Sequence, residues 1–146
     1  MTELDPASRA LLAASRVAHL ATADQYSRPH NVPIVFVLEG DRLYFPLDRK
    51  PKREDDWHIL RRVRNIETNG RVSVVVDRYD EDWSQLAWVL LEGVATILET
   101  GDERDAAARA LAKKYAQYAE GALEGRPVVR VAIERTVTWS AQNKRP

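Results

Sequence analysis

The sequence predicts a mainly β protein: an antiparallel β-barrel of six or so strands with three peripheral helices in a single domain over residues 1–146. Three observations lead there. The extended segments follow one another through short turns, with no strand–helix–strand alternation of the kind that builds a parallel sheet. No Gly-x-Gly-x-x-Gly occurs, which removes a Rossmann dinucleotide site. From His30 to Leu38, Val32, Ile34, Phe36 and Leu38 recur at every second position and so share one face of a strand.

Taken in order, Asp5-Pro6 starts a helix that runs to about Ala14, with Asp as the cap and Pro at the first helical position. Arg16 to Ala23 reads as a strand, and Asp24 to Arg28 as the turn into the strand from His30 to Leu38. Glu39-Gly40-Asp41 then turns into a short strand whose Pro46 argues for an edge or a bulge. From Glu54 the period changes. Ile59, Val63 and Ile66 lie on one helical face, Glu54, Asp55 and Asp56 fall in the first turn, and Asn69-Gly70 predicts a left-handed stop. Arg71 to Asp77 is a strand with a valine-rich centre that suits burial on both faces. Ala87 to Glu99 is a long strand in which Gly93 marks a bulge or bend. Asp102 to Ala119 is an alanine-rich helix with Leu111, Tyr115 and Tyr118 on one side, and Pro127 to Ser140 supplies the last strand or pair.

Lys plus Arg and Asp plus Glu are equal at 22 each, so global charge does not recommend a nucleic acid or an anionic membrane. No apolar run approaches the roughly 20 residues of a membrane helix. The Met-Thr-Glu-Leu-Asp start lacks the basic-then-apolar pattern of a signal peptide, and with no cysteine a cytoplasmic protein is expected. His19, His30 and His58 lack metal-ligand spacing, so no metal site and no catalytic side chain is assigned. The densest charge is the basic segment Arg49, Lys50, Lys52, Arg53, Arg61, Arg62 and Arg64. Cations held at the mouth of a sheet suit a phosphate. The acids at 54–56 interrupt the segment, which fits a compact phosphorylated cofactor better than a nucleic acid. Trp83, Trp88 and Trp139 are core, interface or stacking residues.

The order of these segments resembles a known family. The run from Arg16 to Ala23 (Arg-Val-Ala-His-Leu-Ala-Thr-Ala), then Arg28 to Phe36 (Arg-Pro-His-Asn-Val-Pro-Ile-Val-Phe), is similar to the opening of the pyridoxamine 5′-phosphate oxidase-like flavin-binding split barrels. Leu60 to Val76 resembles that superfamily's helix-then-strand signature. Leu47 to Lys52 together with Asp77 to Trp83 resembles its branch using coenzyme F420, an 8-hydroxy-5-deazaflavin. The resemblance implies a homodimeric split barrel with cofactor sites at the subunit interface, acting as an oxidoreductase on an unsaturated small molecule. It places the cofactor ring against Val32, Pro33 and Ile34, and the phosphate on Lys50, Lys52 and Arg62. Trp88 and Trp139 wall the site, Trp139 from the partner subunit. FMN is the alternative cofactor, and non-catalytic binding of a flavin, a deazaflavin or another phosphorylated ligand is the alternative role.

Overall fold

Asp5 begins the first helix as its position implies. Its carboxylate accepts the Ser8 N–H at 2.8 Å, Pro6 occupies the first turn, and α1 spans Pro6–Ala14. The computed structural model describes residues 3–47, 56–119 and 121–142. Beyond α1 these residues form β1 (Ala18–Ala23), β2 (Pro29–Ile34), β3 (Val37–Glu39), β4 (Arg42–Pro46), α2 (Arg61–Thr68), β5 (Arg71–Arg78), β6 (Ala87–Leu98), α3 (Asp102–Lys114) and β7 (Val128–Ser140). The strands make one seven-stranded antiparallel sheet in the order β2-β1-β5-β6-β7-β4-β3. Seven replaces the expected six.

The extra strand comes from the stretch His30 to Leu38, which is two strands and not one. It breaks at Val35-Phe36, and its halves lie at opposite ends of the strand order. The step from Ile34 to Val37 cannot exceed roughly 11 Å. The sheet must therefore curl into a half-barrel whose two end strands, β2 and β3, are joined by the chain at this corner. Phe36 sits fully buried there.

A corner of this kind leaves backbone groups outside any ladder, and Tyr115 serves them. Its hydroxyl accepts the Phe36 N–H at 3.2 Å and lies 3.1 Å from the Phe36 carbonyl and 2.9 Å from that of Arg16, donating its single proton to one of them. Tyr115→Phe should cost about 1–3 kcal/mol, because it strands buried backbone groups. Urea unfolding followed by fluorescence measures this; a midpoint equal to that of the wild type would mean that the corner is satisfied elsewhere.

Inside the curl, Leu20, Phe36, Leu43, Phe45, Val74, Val76, Val89, Leu91 and Val131 pack as one core, with Leu12 of α1 against it. A second, smaller core lies under α3, where Tyr44 and Val128 meet Ala107, Leu111 and Tyr115. Strand β4 serves both cores by alternation, Leu43 and Phe45 facing one and Tyr44 the other. That explains why β4 is interior, paired to β3 and β7, and not the edge that Pro46 suggested. Pro46 is tolerated because it is the last residue of the strand.

Outside the second core, Glu103 ties α3 to the sheet. It accepts from the Tyr44 hydroxyl at 2.7 Å, Arg42 at 3.0 Å and Arg130 at 2.8 Å. The Tyr44 hydrogen bond first, then Arg130 and Arg42, holds its carboxyl below the usual glutamate value despite partial desolvation. A lowered folded-state value means stability that is present above the ordinary carboxylate range and lost as pH falls through the lowered one. Glu103→Gln should therefore cost about 1 kcal/mol at neutral pH, the partial exposure of the site screening it. The difference from wild type should shrink toward zero in acid; an equal loss at both pH values would point to packing and not charge.

Several boundaries differ from the sequence reading for local reasons. Strand β1 begins at Ala18 and not Arg16. In the helix expected from Glu54, residues 48–55 fall outside the described residues; Asp56 caps a short 3-10 turn at Trp57–Ile59, and α2 begins at Arg61. Ile59 is consequently exposed, while Val63 and Ile66 are buried. Asn69 is extended (φ −148°), and no left-handed stop occurs at Asn69-Gly70. Gly70 is there for space, since a Cβ would meet Val94 Cγ1 at 3.3 Å and the Ala95 carbonyl at 3.4 Å. Strand β5 buries Val72, Val74 and Val76 on one face only, with Ser73 and Val75 half-buried. Helix α3 stops at Lys114, where Tyr115 turns extended, and a 3-10 turn at Ala116–Tyr118 follows. The last segment is one strand, β7, and the bulge expected at Gly93 is present as a register shift at Glu92/Gly93.

Candidate functional site

The end of β2, the first turn of α2 and the end of β4 converge on a small cleft of about 200 Å³. Val17, Pro33, Ile34, Val35, Pro46, Arg62 and Tyr118 line it. Three elements distant in sequence are thus brought to one place by the curl of the sheet. Among the described residues β2 pairs in the sheet with β1 alone, so about half its backbone donors and acceptors face away from the ladder. Such an edge can take the hydrogen-bonding rim of a heterocycle.

The electrostatics at the α2 end favour an anion. The N-cap position is Leu60, which has no side chain able to cap, and the first turn carries Arg61 and Arg62 and no acid. Two cations where a helix already presents positive charge make this end a favourable place for a negative group. His30 reports the same field. Burial first, then Arg61 and Arg62, pushes its imidazole below the usual value, so it is neutral at pH 7. Its Nδ1 is buried with no hydrogen-bond partner among the described residues.

The helix sorts its own cations. Arg62 lines the cleft with Pro33 and Ile34, whereas Arg61 and Arg64 line a different hollow of about 410 Å³ with Asp24 and Arg28. In that hollow Arg28 is already paired to Asp24 at 2.7 Å. Spacing alone gave Arg61, Arg62 and Arg64 equal standing; the structure separates them.

Of the residues expected at the site, the structure joins Pro33, Ile34 and Arg62. Val32 sits on the same strand with its side chain packed against the barrel core, so its contribution to the cleft is backbone. Lys50 and Lys52 lie outside the described residues. Trp88 and Trp139 face each other across β6 and β7 and line another cleft, of about 420 Å³, with Arg78 and the start of α1. That cleft and the one holding Arg62 share no residue.

Sequence reasoning missed Val17, Val35 and Tyr118, which complete the wall. Their only sequence signal is an apolar residue beside each strand end and a tyrosine just past a helix. Their meeting depends on the corner at Val35-Phe36.

The family model described as pyridoxamine 5′-phosphate oxidase matches residues 4–140. The chain belongs to the pyridoxamine 5′-phosphate oxidase family. It is a member of that family's split-barrel superfamily, an oxidoreductase-type group of flavin-binding folds. Over 91 residues, 62% of the chain, it is 32% identical to a 5a,11a-dehydrotetracycline/5a,11a-dehydrooxytetracycline reductase of Streptomyces rimosus, spanning 61% of that relative's length. Among solved structures, an FAD-binding protein of Mesorhizobium loti is 25% identical, with a TM-score of 0.65 over 92% of this chain and 94% of that one. A conserved hypothetical protein of Mycobacterium tuberculosis is 19% identical with a TM-score of 0.76, over 96% of this chain and 87% of that one, and speaks for the fold. No helix of the described residues of this family member is long and apolar enough to cross a membrane.

Proposed function

We propose that the protein is a cytoplasmic, homodimeric reductase that uses coenzyme F420 to reduce an unsaturated, conjugated small molecule. One observation carries this reading: Pro33 and Ile34 on an edge strand share a cleft with Arg62, whose helix starts with cations and no side-chain cap. That pairing suits a flat heterocycle tethered to a phosphate. The split-barrel family and the reductase relative support the redox class.

When bound, the cofactor supplies a hydride from its reduced ring. The protein's own residues position and enclose it. The Val32 to Ile34 backbone would carry the ring rim, while Val17, Val35 and Tyr118 exclude water beside it. Arg62 would hold the phosphate together with Lys50 and Lys52. Trp88 and Trp139, which are not among this cleft's lining residues in one chain, would complete the wall in the dimer, Trp139 from the partner subunit. No side-chain nucleophile is required.

Separate fluorescence titrations of the purified protein with coenzyme F420 and with FMN test the reading. Micromolar or tighter binding of the deazaflavin, with FMN much weaker, is expected. Preference for FMN would make the protein a flavin oxidoreductase of the same fold, and failure of both to bind would remove the redox assignment.

A further inference from the structure

The small cleft does not end at Tyr118. Val17, Val35 and Tyr118 also line a neighbouring cleft of about 920 Å³, so the two form one continuous groove. The first part, at about 200 Å³, is below the roughly 300–1,000 Å³ of typical ligand sites, and a larger ligand seated on β2 has room past Tyr118 in the second. There it meets Arg16, Lys113 and Lys114, and none of the described residues lining this part is acidic.

These cations are held in place. Arg16 donates to the Lys114 carbonyl at 2.6 Å, with its guanidinium 5.3 Å from the Tyr115 ring centroid. The Lys114 ammonium is half-buried, 3.9 Å from the Phe36 ring centroid and 3.3 Å from the Leu12 carbonyl that it donates to. The α3 dipole favours Lys113 and Lys114 in the last turn. It does not account for an ammonium tucked over the barrel corner, nor for a guanidinium arriving from the loop before β1. Burial first, then repulsion from Arg16, brings Lys114 down to about 8, so its charged form is held at a cost set mainly by desolvation. A negative group in the groove would relieve it.

We propose that Arg16, Lys113 and Lys114 form a second anion subsite, which takes an oxyanion carried on a flat conjugated ring: a phenolate, an enolate or an aryl carboxylate. Apolar walls at Val17, Val35 and Tyr118 receive the ring, and the cations receive its charged edge. The subsite stands on the groove itself; only the source of the anion, the cofactor's ring hydroxyl or the substrate, rests on the proposed function.

Two fluorescent probes test it: 1-anilinonaphthalene-8-sulfonate and its sulfonate-free parent, N-phenyl-1-naphthylamine. The sulfonate should bind about tenfold or more tightly than the neutral ring. That preference should vanish in the double variant Lys113→Gln/Lys114→Met, with neutral-probe affinity unchanged as the control for folding. Arg16→Gln/Lys113→Gln, at two exposed positions, should give most of the same loss without touching the half-buried lysine. Repeating the titration at saturating coenzyme F420 separates the sources, displacement assigning the anion to the cofactor and co-binding assigning it to the substrate. If coenzyme F420 does not bind, the cofactor reading falls while the sulfonate preference still decides the subsite. Equal affinity for both probes, or a sulfonate preference that survives both double variants, overturns it.

Discussion

Arg62→Glu should weaken coenzyme F420 binding by tenfold or more, and Lys52→Glu should do the same. A charge-assisted hydrogen bond to phosphate contributes about 1.5–3 kcal/mol, and reversal adds repulsion to its loss. The structure supplies the controls. Arg61 and Arg64 belong to the same helix but line the hollow beside Asp24 and Arg28. Arg61→Glu and Arg64→Glu should therefore change affinity by no more than about threefold, through the screened long-range field alone. The contrast between neighbouring positions on α2 matters more than any single value. If all three helix variants weaken binding equally, the phosphate senses the net charge of the helix and no specific seat at Arg62. If none does, the cofactor lies elsewhere.

Gly93→Ala should cost about 3 kcal/mol or more, a large share of a domain's stability. At the bulge where β6 shifts register against β7, a Cβ at this position would run into the Ala132 carbonyl, and Ile133 Cα would lie only 3.1 Å away. The obstacle is backbone on both counts, so no rotamer change can make room. β6 is central, paired to β5 and β7 along most of its length, so a shift there propagates through the sheet. The thermal midpoint of Gly93→Ala should fall by many degrees. Gly101→Ala is the informative comparison: nothing lies within 4 Å of its Cβ position, and only its backbone φ of +109° resists substitution. A Gly93→Ala variant as stable as wild type would mean that the bulge can migrate along β6.

The parts of this protein legible in its sequence are those set by local chemistry. The Asp5-Pro6 helix start, the turn at Asp24 to Arg28 and the bulge at Gly93 each follow from one or two residues, and each is found. The alternation Val32, Ile34, Phe36, Leu38 was read as one strand because periodicity cannot register a corner that keeps the period. The backbone groups freed at that corner are satisfied by Tyr115, 79 residues away, and no local pattern announces it. The Asn69-Gly70 stop failed for a similar reason: the glycine answers to β6 across the sheet and not to its own helix. At the site, the sequence singles out Pro33, Ile34 and Arg62, and the fold brings them to one cleft. It does not single out Val17, Val35, Tyr118 and the cations beyond them, since they gain their meaning only once the sheet has curled.

The central claim is that the cofactor lies in the groove between β2 and the start of α2. Backbone amide hydrogen exchange, with and without saturating coenzyme F420, tests it most directly. Added protection should concentrate at Val32 to Val35, excluding the amide-free Pro33, and at Arg61 to Val63, extending toward Tyr118. Protection confined to the strands carrying Trp88 and Trp139, with the β2 and α2 segments unchanged, would contradict the account.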